Sequence, residues 1–166
     1  MTKTNKEVAV AVAAPGEPTI EVTRIIDAPR DLVWAAFTDP VHAGRWWGPN
    51  GFTTTTKRME VRAGGVWEFT MHGPDGRDWP NKITYREVVT PERLVYVHGD
   101  DGEDALFNTV VTFSADGERT RVHMIATFAS VEERDRQAAE VGAVEGAAQH
   151  LDNMAAYIDA NREALA

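Results

Sequence analysis

The sequence contains no cysteine. Disulfides, thiolate metal sites and cysteine nucleophiles are therefore excluded, and the chain suits a reducing compartment. Long apolar runs are missing as well, since no stretch approaches the roughly 20 apolar residues that span a bilayer. The segment Lys3 to Ala14 has the outline of a signal peptide. Glu7 interrupts its apolar part, however, which is short and built of Ala and Val. A cytoplasmic location is expected. Positive charge is scarce too: Lys and Arg total 17 against 26 Asp and Glu, a net charge of -9. A field of that sign repels phosphate backbones and anionic lipid, so neither nucleic acid nor a membrane is an expected partner.

What remains is ordinary globular material. The 166 residues are 43% hydrophobic and 26% charged, enough for one domain with a real core. Residues 1–18 read as a flexible leader closing on Pro15-Gly16-Glu17-Pro18, with room for a short strand over Val8–Val12. Residues 19–166 read as a single domain. Ile20, Val22, Arg24 and Ile26 alternate with Glu21, Thr23 and Ile25, the signature of a strand with two unlike faces. Pro29 and Asp31 suit the first turn of a short helix, on which Val33, Trp34 and Phe37 share a face. A second short helix is expected from Pro40 to Trp46.

From Phe52 to Phe128 strands alternate with turns. Gly73-Pro74-Asp75-Gly76 and Asp116-Gly117 are turns by their φ requirements, and the acidic segment Asp100 to Asp104 reads as a solvated loop before a strand opening at Leu106. Beyond Val131 no proline occurs, and Val141, Val144, Ala148, Leu151, Ala155 and Ile158 recur at helical steps to about Leu165. The order predicts an α+β fold in which a curved antiparallel sheet of about six to seven strands wraps around a long C-terminal helix, with two short helices after the first strand.

A bent sheet against one helix can leave a gap suited to an apolar ligand. Trp67, Phe69 and Met71, alternating with Glu68 and Thr70, are expected to face the helix and line that gap. Tyr85, Phe107, Thr109 and Val111 would contribute from later strands, and Leu151, Met154 and Ile158 from the helix. The alternative is that all of them fill solid core. Gly142, Ala143, Gly146, Ala147 and Ala148 leave one helical stretch short of side-chain volume, which points to either a void or a close backbone approach. Trp46 and Trp47 are adjacent and are expected to diverge, one packing inward and one at a cavity entrance or an interface. His123 is a candidate polar anchor, and Glu87 is of interest if buried with Ile83, Tyr85 and Val89.

The five histidines (42, 72, 98, 123 and 150) lack metal-ligand spacing, and no nucleophile elbow, phosphate loop or dinucleotide fingerprint is present. No metal and no cofactor are expected, and catalytic residues cannot be named. A buried, converging pair of titratable groups would favour an enzyme. An exposed apolar patch around Trp46 and Trp47 would favour a protein partner.

Several segments together resemble the SRPBCC (START/Bet v-like) superfamily, in the branch named for homology to the activator of the heat-shock-protein-90 ATPase. They are Asp27-Ala28-Pro29, Val33 to Pro40, Trp46-Trp47-Gly48-Pro49, Gly51-Phe52, Gly64 to Trp67, Met71 to Gly76 and Pro91 to Tyr96, in that order. The resemblance covers about Thr19 to Ile158. It implies the helix-grip fold and a hydrophobic cavity between sheet and helix, hence the binding or carriage of a small apolar molecule. Relatives also include cyclases, hydrolases and chaperone partners, so an enzyme on an apolar substrate or a chaperone-associated module is the alternative. The named activator carries a further N-terminal domain that contacts the chaperone, where this chain has its first 18 residues, so chaperone activation is not expected. A homodimer is an open option.

Overall fold

The computed structural model describes residues 8–99 and 107–166. The acidic segment Asp100 to Asp104, the expected first strand residue Leu106 and the first residues of the leader lie outside the described residues. The elements are β1 (Val10–Val12), β2 (Thr19–Ile26), α1 (Arg30–Thr38), α2 (Ala43–Trp46), β3 (Thr53–Met59), β4 (Val66–His72), β5 (Asp78–Val89) and β6 (Arg93–His98). They continue with β7 (Phe107–Asp116), β8 (Arg119–Phe128), α3 (Val131–Arg136), a π-helical turn (Gln137–Val141), α4 (Ala143–Ala160) and α5 (Arg162–Leu165).

All strands join one antiparallel sheet in the order β1-β2-β8-β7-β6-β5-β4-β3. Its inner face carries α1, α2 and α4, and the arrangement is the helix-grip fold. The sheet has 8 strands, above the expected six to seven, because β1 adds itself to β2 at one edge. β1 falls within the stretch read as leader. It is tied down where the Asp152 carboxylate accepts from both the Ala9 N–H and Arg24 Nε, each at 2.8 Å. Arg24 therefore shares the inner face of β2 with Ile20 and Val22, as alternation requires, and finds its counter-ion on α4.

Two bulges correct the simple alternation. On β5 the pairing steps from Tyr85↔Tyr96 to Glu87↔Val95, leaving Arg86 as the extra residue. The bulge transfers the inward position from Glu87 to Val88, which pairs with the fully buried Leu94. Glu87 is consequently half-exposed and bonded to Arg93 at 3.0 Å, not buried with Tyr85. A second register shift interrupts β3 between Thr56 and Arg58.

The C-terminal helix is also not continuous. Ser130 caps α3 by accepting from the Glu133 N–H at 3.0 Å, and the helix then widens into the π-helical turn. It stops at Gly142, whose φ of 67° is left-handed. Only glycine enters that region without a Cβ penalty, so the residue that looked merely small is the break between two helices. The 18 residues of α4 then run about 27 Å along the sheet. Its Leu151, Met154 and Ile158 are completely buried. Burying side chains of this size stabilises by roughly 1.5–3 kcal/mol each.

Candidate ligand cavity

A cavity of about 290 Å³ lies between the sheet and the first half of α4. The sheet wall follows from cross-strand register. Ile20 pairs with Ala126, Ala126 with Thr109 and Thr109 with Tyr96, forming one inward row across β2, β8, β7 and β6. A second row runs Phe128, Phe107, His98. Both rows face the cavity, with Val22 and Met124 beside them. The helix wall is Ala143, Gly146, Ala147 and His150, and Gln137 and Val141 of the π-helical turn flank it. Because the first turns of α4 present Ala143, Gly146 and Ala147 to the cavity, they cannot fill the space opposite the rings of the sheet.

The third wall is the loop after α2. Trp47, Gly48 and Pro49 line the cavity together with Met71. One turn of α4 pins this loop: the Gly48 N–H donates to His150 Nδ1 at 3.1 Å, Asn153 Nδ2 donates to the Gly48 carbonyl at 3.0 Å, and the Asn50 N–H donates to Gln149 Oε1 at 3.0 Å. Gly48 has a φ of 109°, and a Cβ there would stand 2.8 Å from the Met71 methyl carbon. The positive φ favours glycine there, whereas the Met71 methyl, at the end of a flexible side chain, could move aside.

Polar groups are few and uncharged. The Tyr96 hydroxyl shares a hydrogen bond with Thr109, and burial drives its pKa far above the ordinary tyrosine value. His98 stacks on Phe107 with centroids 4.5 Å apart, and burial pulls its pKa down to about 4. His150 sits edge-on to Trp47 at 4.4 Å and beside Trp46 at 4.8 Å. Burial, with a smaller contribution from His98, lowers its pKa to about 3. Since His150 Nδ1 accepts from Gly48, its proton resides on Nε2. His98 Nδ1, by contrast, is buried without a hydrogen-bond partner among the described residues.

Of the residues expected to line a cavity, the structure brings together Met71, Phe107, Thr109 and Trp47. Trp67 and Phe69 do face inward, 1% and 2% exposed, while Glu68 is outside with Arg58. They abut the Trp47 indole, at 4.6 Å and 5.9 Å, and belong to the core. Tyr85, Val111, Leu151, Met154 and Ile158 are core as well. His123 is on the opposite face of the sheet, where its Nε2 meets Glu21 Oε1 at 2.9 Å, so it anchors nothing in the cavity.

Trp46 and Trp47 are both buried, so neither stands at an exposed interface, while one packs inward and the other lines the cavity. The backbone passes from helix at Trp46 to extended at Trp47, and this turns the rings to different neighbours. Trp46 Nε1 donates to the Ala36 carbonyl at 2.8 Å, and Trp47 becomes cavity wall. Residues not anticipated include Tyr96, His98, Met124 and Phe128. Their signal was available in the inward alternation of β6 and β8, which continues through His98 and Phe128.

The remaining histidines have local partners. His42 Nδ1 and the Tyr157 hydroxyl are 2.6 Å apart beneath α2. His72 lies between Asp78 and Thr55, at 2.7 and 2.8 Å, on the solvent-exposed side of the sheet, where nothing excludes water. Among the described residues no group of three or more His, Asp and Glu side chains could hold a metal ion, and no helix is long and apolar enough to cross a membrane.

Residues 27–159 match the model of the family described as Activator of Hsp90 ATPase homolog 1-like protein. No curated protein matches the chain. Among solved structures, a protein from Arthrobacter aurescens superposes with a TM-score of 0.81 at 25% identity, over 90% of each chain. One from Nitrosomonas europaea gives a TM-score of 0.80 at 20% identity, covering 92% of this chain and 99% of the other. The AHSA1-like protein from Aeromonas hydrophila gives 0.65 at 24% identity, over 88% and 95%.

Proposed function

The chain belongs to the family of Activator of Hsp90 ATPase homolog 1-like proteins, and we propose that it binds and carries a small, mainly apolar molecule in the cavity between its sheet and α4. The observation that carries this reading is the mismatch of the two walls. Aromatic and aliphatic side chains of the sheet and the Trp47 loop stand opposite Ala143, Gly146 and Ala147, and the space between them stays open. A pocket that is apolar with a few convergent polar groups is the ordinary form of a small-molecule site. At about 290 Å³ it has about twice the volume of a cavity that takes up benzene, which suits a bicyclic molecule. A cytoplasmic carrier fits the absence of cysteine and the acidic charge.

An enzyme is the second reading, and one observation favours it: His98 and His150 are a buried titratable pair at one cavity. Their pKa values of about 4 and 3 make both weak bases near neutrality, whereas an efficient general base has a pKa near the working pH. Among the described residues no carboxylate lines the cavity to serve as proton donor or relay. Hydrogen bonding to a ligand is therefore the better use of the pair. The partner-module reading loses its expected surface, because neither Trp46 nor Trp47 is exposed.

Native mass spectrometry of gently purified protein, followed by titration with an environment-sensitive apolar dye, tests the proposal. A stoichiometric co-purified small molecule, or saturable one-to-one dye binding, supports it. Protein that is empty and binds no dye refutes it.

A further inference from the structure

The two edges of the sheet are built differently. At one end β3 carries the exposed Lys57 and Arg58, and a register shift between Thr56 and Arg58 interrupts its line. Charge and bulges are the usual means of keeping an edge strand from pairing with another chain. At the other end β1 has neither. Val8 to Ala14 carry no charge and no proline, and β1 pairs with β2, its one strand neighbour among the described residues, without a register shift. Ala9 and Ala11 turn inward onto the core. Val8, Val10 and Val12 stand outward and are 63%, 61% and 51% exposed.

The stretch Ala9-Val10-Ala11-Val12-Ala13 reads the same in both directions. An antiparallel second copy centred on Ala11 therefore sets Val against Val on the outer face and Ala against Ala on the inner one. A two-fold interface requires that self-complementarity. Each copy has a net charge of -9, so two copies repel over most of their surface, but this strip is neutral. The charges beside it differ in sign, Glu21 next to Val12 and Arg121 toward Val8, and the two-fold brings unlike ends together. Asp152 already holds the Ala9 N–H at 2.8 Å, which leaves Val10 to Val12 as the stretch to be paired. We propose that β1 is a homodimer interface, pairing antiparallel with the β1 of a second copy about a two-fold axis at Ala11 and joining the two sheets into one. Because the β3 edge is blunted, association stops at two copies.

Sedimentation velocity from about 10 μM to about 1 mM protein tests the proposal. The parent should pass from monomer to dimer and no further. Val10→Lys sets two ammonium groups diagonally across the interface and should weaken dimerisation at least about tenfold, with an unchanged circular dichroism spectrum. Val89→Lys, at a 40% exposed valine on β5, should leave dimerisation as it is. Since the protein has no cysteine, introduced thiols report the register. Val10→Cys mixed with Val12→Cys should oxidise mainly to the mixed dimer, because those two positions stand opposite each other. A parent that stays monomeric to about 1 mM, or that forms open-ended oligomers, overturns the proposal. So does dimerisation that a folded Val10→Lys leaves intact, or that Val89→Lys weakens equally. Preferential self-linking of Val10→Cys overturns the axis at Ala11. The parent's concentration series and the mixed cross-link decide even where Val10→Lys does not fold.

Discussion

Replacing Ala147 by Leu distinguishes a true void from core. Ala147 lines the cavity on the first half of α4, two turns before the close-packed stretch that includes Ala155, which is 8% exposed in the core. The same substitution at the two positions should therefore have opposite outcomes. At Ala147 the added carbons enter existing space, and each newly buried methylene contributes up to about 0.8 kcal/mol, partly offset by the loss of side-chain rotamers. The net change should lie between zero and about 2 kcal/mol of stabilisation. At Ala155 no such space exists, and overpacking should cost about 1–3 kcal/mol. In a chain of this size each kcal/mol moves Tm by about 2–4 °C. Calorimetric melts should thus place Ala147→Leu at or above the parent and Ala155→Leu about 2–12 °C below it. Affinity for an environment-sensitive apolar dye should fall in Ala147→Leu and hold in Ala155→Leu. If both variants lose stability alike and the parent binds no dye, the cavity is collapsed in solution and the argument fails.

Acid should destabilise the protein through its two cavity histidines. Their folded pKa values, about 4 for His98 and about 3 for His150, lie below the unfolded value of 6.5. Above pH 6.5 both states are neutral and the full stability is present. As the pH falls toward 4 the unfolded chain takes up protons that the folded one refuses, and stability drops by about 1.4 kcal/mol per pH unit for each group. Urea titrations between pH 7 and pH 4 should show this slope, and His98→Leu should roughly halve it. His150→Leu should cost about 1–3 kcal/mol by orphaning the Gly48 N–H, and should loosen the Trp47 loop, seen as a shift in tryptophan emission. Asp152→Ala removes the acceptor shared by Ala9 and Arg24. It should lower stability by about 1–3 kcal/mol and speed limited proteolysis before Thr19. A cleavage pattern unchanged from the parent would show that β1 is held without this carboxylate.

The helix-grip order was legible because it rests on local signals. Alternation on β2, β4 and β8, prolines at Pro29 and Pro74, and the long proline-free C-terminus each act within a few residues. What was misplaced depends on register and on contacts distant in sequence. Unbroken alternation would bury Glu87 with Ile83, Tyr85 and Val89, and the bulge at Arg86 that turns it outward leaves no mark in the side-chain pattern. Gly142 was read as missing volume when it is a left-handed break, since one residue type serves both purposes. The void was expected along the whole Gly142 to Ile158 stretch. It is confined to the half where Gly146 and Ala147 occur, because Leu151, Met154 and Ile158 are large enough to meet the sheet. No local pattern distinguishes His150 from the other histidines, and only the fold brings Gly48, about a hundred residues earlier, to its Nδ1.

The division of the cavity between two walls has an evolutionary consequence. The polar lining side chains Tyr96, His98 and Thr109 sit on β6 and β7, whereas the available length is set across from them by Ala143, Gly146 and Ala147 on α4. A Cβ at Gly146 would meet nothing closer than Pro49 at 3.9 Å, so side chains can grow or shrink on that helix surface without disturbing the sheet. Size and polarity can then diverge along independent mutational routes. A lineage could exchange one cargo for a shorter one by a single enlargement on α4, or change the cargo's head group by substitutions on two neighbouring strands, and retain its scaffold throughout.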